Sequence, residues 1–194
     1  MAGIDRYGNH ASILDAHTRN LYQLLKTGKY ISSLYRAQFD FVEVLAEANY
    51  LKAVPFPVPR PITLDQIAIY VTTAGGAGAE MRLGIYNDGV NLYPAGLLLD
   101  AGVIDATTTG IKAIIINQAL AKGMYWLACV CNDATVKIPI TCYHTSPLGY
   151  SDPRYNAGNL AVNYNYGALP NPFPSGAGDG GYLYLVSVRI ASLD

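Results

Sequence analysis

Near the C-terminal end, Gly176-Ala177-Gly178-Asp179-Gly180-Gly181 spells the G-x-G-x-x-G pattern that cradles a dinucleotide pyrophosphate. That chemistry needs a strand before the loop and a helix after it, because the helix N-terminus meets the phosphate. Here Pro170, Pro172 and Pro174 precede the glycines and a strand-like run, residues 182–190, follows them, so the stretch reads as a loop. His144, Ser146 and Asp152 carry the letters of a hydrolytic triad, but a triad is defined by geometry and local order says little about it. Asp100 with Asp105, and Glu43 with Glu47, are carboxylate pairs without a context that would hold one acid protonated and its neighbour ionised. Cys129 and Cys131 lie two apart in one strand and point to the same face, which is poor geometry for a mutual disulfide. No second cysteine pair or suitably spaced histidine completes a zinc set. No catalytic residue, metal ligand or cofactor is expected from these patterns, and the protein is not expected to be an enzyme.

Composition narrows the classes further. Of 194 residues, 51% are hydrophobic and 14% charged, enough apolar side chain for one sizeable core. A net charge of −1 leaves no basic footprint for nucleic acid. Residues 1–36 hold five Lys/Arg against two Asp, a net +3 that leaves −4 for the remainder and suits docking on an acidic surface. No apolar leader or membrane-length run occurs, so neither secretion nor a membrane partner is expected. The cysteines read as buried thiols, as in a reducing cytoplasm at the time of synthesis.

The elements that must position any site are mostly strands. Ile67, Ile69 and Val71 alternate with Gln66, Ala68, Tyr70 and Thr72, and Met81, Leu83 and Ile85 alternate with Arg82, Gly84 and Tyr86. Period-two alternation sends the first set of each to a core and the second outward. Residues 124–132 are apolar on both faces, as a central strand covered on each side should be, with Trp126 as a core anchor. Val54-Pro55-Phe56-Pro57-Val58-Pro59 has proline at every second position, which confines it to a sheet edge or a linker. Asn87-Asp88-Gly89 reads as a tight turn. Short strands at regular spacing with marked turns argue for an antiparallel β-sandwich over residues 41–194.

Residues 1–40 read as a separate arm. Ser12 and Asp15 make a capping signal, and Gly28 a stop, around a leucine-rich helical stripe of Ile13, Leu14, His17, Leu21, Leu24 and Leu25. A helix of about 15 residues is too short to stand alone in water. Its stripe either packs on its own β domain or anchors the chain to a partner, with Ile13, Leu14, Leu21, Leu24 and Leu25 as the contact residues. Between Arg154 and Asp179 no residue is charged, and tyrosines interleave with asparagines. Tyr150, Tyr155, Tyr164 and Tyr166 form a possible contact loop for a subunit, a partner or a glycan, or else fold onto their own sandwich.

Several strings together resemble a module of tailed-bacteriophage structural proteins. They are the Val54–Pro59 proline run followed by Leu64-Asp65-Gln66-Ile67-Ala68-Ile69-Tyr70-Val71-Thr72-Thr73, then Arg82-Leu83-Gly84-Ile85-Tyr86-Asn87, Leu98-Leu99-Asp100-Ala101-Gly102 and Gly123-Met124-Tyr125-Trp126-Leu127-Ala128. Ala168-Leu169-Pro170, Phe173-Pro174-Ser175-Gly176 and Val188-Arg189-Ile190-Ala191 extend the likeness, which covers about residues 50–191. The resemblance implies a jelly-roll sandwich and a place among minor tail, tail-fibre or decoration proteins of a virion, with no catalytic or metal residue to carry over. The N-terminal 40 residues lack the repetitive stalk of a fibre, which favours a short appendage at the head, neck or baseplate. Expected partners are other virion proteins and further copies of the chain, a trimer being the first guess, with a host-surface glycan as the alternative.

Overall fold

The computed structural model describes residues 25–32, 41–141, 159–180 and 183–193. Among them the chain forms thirteen strands, and every pairing between strands is antiparallel. In chain order they are β1 (Tyr30–Ile31), β2 (Phe41–Leu45), β3 (Tyr50–Val58), β4 (Ile62–Val71), β5 (Glu80–Asp88), β6 (Pro94–Asp105) and β7 (Gly110–Leu120). There follow β8 (Gly123–Cys131), β9 (Lys137–Thr141), β10 (Leu160–Asn163), β11 (Gly178–Asp179), β12 (Leu183–Tyr184) and β13 (Ser187–Leu193). One sheet has the order β1-β13-β4-β7, a second β11-β10-β3-β8-β5-β6, and a third β12-β9-β2. Thr72 and Thr73, just past β4, bond Lys137 at the start of β9, which ties the first sheet to the third.

The alternation in the sequence is what builds the core between these sheets. Ile67, Ile69 and Val71 from β4 meet Met81, Leu83 and Ile85 from β5, together with Phe56, Val58, Leu127, Ile138, Ile140, Val188 and Ile190. Each such side chain contributes about 1.5–3 kcal/mol on leaving water. β8 lies between β3 and β5 and is buried on both faces, as its unbroken apolar sequence requires. β3 obeys the proline rule by halves. β10 pairs with Tyr50 to Ala53 only, so from Val54 onward, where Pro55 and Pro57 sit, β8 is the neighbour on one side alone.

The second face of the six-stranded sheet has its own core, and here Tyr86 departs from the expected outward position. Tyr86 is fully buried with Leu51, Ala53, Trp126, Val130, Leu169 and Phe173. The reason is the segment 164–177, which lies down over that face. Arg82 Nε bonds both Asp100 oxygens at 2.8 and 2.9 Å, and Asp100 Oδ2 accepts the Leu169 N–H at 3.1 Å. The Tyr86 hydroxyl donates to the Pro170 carbonyl at 2.9 Å and the Tyr93 hydroxyl to that of Pro174 at 2.6 Å. Phe173 stands edge-on to both tyrosine rings. Gly84 makes room for the strap, since a Cβ there would come within 2.2 Å of Leu169 and 2.6 Å of the Leu99 carbonyl oxygen. A further difference is the turn after β5, which lies beyond Asp88 and closes through Gly89 N–H to the Tyr93 carbonyl at 2.8 Å.

The body also begins earlier than residue 41. Tyr30 and Ile31 pair with Arg189 and Val188, the Gly28 N–H donates to the Ile190 carbonyl at 2.7 Å, and Leu25 is buried in the main core. This strand has no local period, because its partner is more than 150 residues away in sequence. The rest of the expected arm helix, Ile13, Leu14, Leu21 and Leu24 included, lies outside the described residues.

Candidate functional site

Where the first and third sheets part, the outer surface holds a groove of about 450 Å³. The register of the strands places its walls. Tyr70 of β4 is opposite Ile111 of β7, Ala68 is opposite Ser187 of β13, and Tyr30 of β1 is opposite Arg189. Ile69, Thr72, Pro139 of β9 and Leu185 complete the lining, and Glu43 is its one charged member among the described residues. The surface is overwhelmingly carbon. Around it, Tyr30, Tyr70 and Ile111 are exposed, and Ile115, two outward positions further along β7, is 84% exposed.

One rim is fixed by polar contacts. Arg189 meets Asp65 in a two-pronged ion pair, 2.8 Å on each prong, and the Gln66 amide lies between the Tyr30 hydroxyl and the Arg189 guanidinium. The arginine hydrogen bond holds the Asp65 carboxyl below its ordinary pKa. Such a site offers aromatic and aliphatic area with a carboxylate at one side. It suits capture of an apolar side chain from another protein better than a sugar, whose hydroxyls would need more polar partners than the walls supply.

A second concentration of chemistry is internal. Lys52 is buried beside Cys129, with Nζ 2.5 Å from Glu47 Oε2 and 4.1 Å from the centre of the Tyr184 ring. Burial alone would lower the lysine pKa, but the bonds to Glu47 and Tyr184 outweigh it and the net shift is upward. This is a satisfied buried charge, held by an acid that water still reaches. Because a buried charge is costly once its partner is removed, Glu47→Ala is expected to lower stability by about 2 kcal/mol, whereas Lys52→Met should be neutral or stabilising. Urea midpoints of the two variants check both.

The residues expected to form sites fall in different places. Tyr164 and Tyr166 sit on the strap, not in the groove. The Tyr164 hydroxyl donates to the Ala168 carbonyl, and Tyr166 donates from its hydroxyl to Glu80 Oε2 at 3.1 Å and from its N–H to Asn49 Oδ1 at 2.9 Å. Tyr150 and Tyr155 lie outside the described residues, as do His144, Ser146 and Asp152. Leu25, grouped with the anchor stripe, belongs to the chain's own core. Asp100 ties down the strap, and Asp105 accepts from Thr107 in the next turn. Cys129 and Cys131 are buried free thiols. Gly178 and Asp179 form the short strand β11 against β10, which disposes of the dinucleotide pattern. The groove itself draws on residues from distant segments. Its only signal in the sequence was an apolar residue, Tyr70 or Ile111, at an outward position of a strand.

Comparison with protein families, curated proteins and solved structures returned no match to this chain.

Proposed function

We propose that the chain is a structural protein of a tailed-bacteriophage virion, made in the bacterial cytoplasm: a jelly-roll-like sandwich of the head, neck or baseplate surface. The observation that carries this reading is the contrast between the two outer faces. One is sealed by its own strap, tyrosine hydroxyls included. The other is left apolar and open around the groove, with Ile111 66% exposed. Open apolar area on an otherwise well-packed body marks a contact surface for other proteins. Tyr30 of β1 lines that groove, and residues 1–24, which lie outside the described residues, are proposed to add to the anchor. The family resemblance points the same way.

The test is incorporation into particles that lack the native copy. A chain starting at Leu25 keeps β1 and the core leucine, so it should fold yet fail to join particles. Tyr70→Asp with Ile111→Asp should fail likewise with an unchanged circular dichroism spectrum. Incorporation of both variants at the level of the full chain would end this reading, and binding of the isolated protein on a glycan array would move it towards host attachment.

A further inference from the structure

Shutting water out of an apolar groove is costly when a carboxylate on its wall is left without a partner. Glu43 of β2 is such a group. It is exposed, it lines the groove, and among the described residues its side chain takes part in no ion pair or hydrogen bond. The nearby cations do not answer it. Arg189 on the rim is neutralised by its two-pronged pair with Asp65. Pro139 of β9 is the residue opposite Glu43, and Lys137, two residues back along β9, is opposite Leu45. Lys137 neither lines the groove nor forms an ion pair among the described residues. The aromatic members lie on the first sheet. There β13 runs between β1 and β4, and the small side chains of Ser187 and Ala68, opposite one another, leave room between the exposed rings of Tyr30 and Tyr70.

We propose that the groove receives a long basic side chain, lysine or arginine, from another protein, with the aliphatic stem on the apolar walls and the cationic head at Glu43. This rests on the reading of the groove as a contact surface and names what the partner presents to it. The stem of such a side chain is apolar and covers carbon surface while its head stays polar. Tyrosine faces attract a cation through the ring quadrupole. Glu43 supplies the opposite charge where the walls supply none. A purely aliphatic side chain would suit the walls but strand the carboxylate, and an acidic one would be repelled.

The test is a nuclear magnetic resonance titration of the full chain with N-acetyl-lysine methylamide and with N-acetyl-norleucine methylamide, which keeps the carbon stem and lacks the ammonium. The lysine probe should bind about fivefold or more tightly than the norleucine one, with shifts at Glu43, Tyr30 and Tyr70. Glu43→Gln should remove most of that preference without weakening the norleucine probe, and added salt should shrink it in the wild-type chain. Equal affinity for the two probes would overturn the proposal. So would a full chain that binds neither at these residues, as when its own residues 1–24 fill the groove. Failure here is separable from failure of the virion reading. Loss of incorporation in the Tyr70 and Ile111 variants, beside a groove indifferent to the ammonium, would remove this proposal alone. Normal incorporation beside a clear lysine preference would remove only the virion reading.

Discussion

Trp126→Ala is expected to lower the unfolding free energy by about 3–5 kcal/mol, the largest loss from any single truncation in this chain. The indole is fully buried at the centre of the core beneath the strap, between Pro55 of β3 and Tyr86 of β5. Its Nε1–H donates to Asp88 Oδ1 at 2.8 Å, just before the β5–β6 turn. Removing the ring opens a cavity under Leu169 and Phe173 and leaves that carboxylate without its donor. Trp126→Phe separates the two terms, because it keeps most of the packing and loses the hydrogen bond, at a cost of about 1 kcal/mol beyond the lost volume. Denaturant titration of both variants gives the numbers. A Trp126→Ala loss no larger than that of Trp126→Phe would mean the ring is not what holds the strap down.

A steep loss of stability in alkali is the second large effect. Burial pushes the Cys129 thiol up to about 12, against the opposing pull of nearby Lys52, and pushes Cys131 up to about 11. Burial likewise raises the hydroxyls of Tyr86 and Tyr184, and Lys52 is raised by its partners. For each of these groups the folded value lies above the unfolded one, so the unfolded chain releases its proton first. The stabilising contribution is therefore complete below about pH 9 and is lost as pH rises towards the folded values. Three units on Cys129 alone correspond to roughly 4 kcal/mol by about pH 12. Urea midpoints measured across that range should fall steadily, and Cys129→Ala should flatten part of the slope even though it starts from a lower value. A midpoint that holds level through the same range would show that these groups reach water in the folded chain.

Local pattern carried the strands but not what covers them. The two-residue period of β4 and β5 and the two-faced apolar run of β8 were readable because each reports its own burial side by side in sequence. Tyr86 lies on the face its spacing predicts, but that face is buried, for a physical reason. The period says which residues share a face, and only the remote strap decides whether that second face is wet. Lys52 has the same origin: a lysine reads as solvated until Glu47 and Tyr184 converge on it. The tyrosine-rich segment had two open readings, and residues 159–180 take the self-packed one. The groove was hardly legible at all, since Tyr30, Tyr70, Pro139 and Leu185 share no spacing and meet only through pairings made by β13 and β9.

The position of β13 has a consequence for how the molecule comes into being. It lies between β1 and β4, two strands from the front of the sequence. A growing polypeptide cannot complete that layer in order of synthesis, because β4 keeps a vacant flank and Tyr30–Ile31 stays unanchored until residues 187–193 exist. That layer must wait, half-assembled, until residues 187–193 emerge, and clipping those few residues would strip β4 and β1 of the neighbour they share.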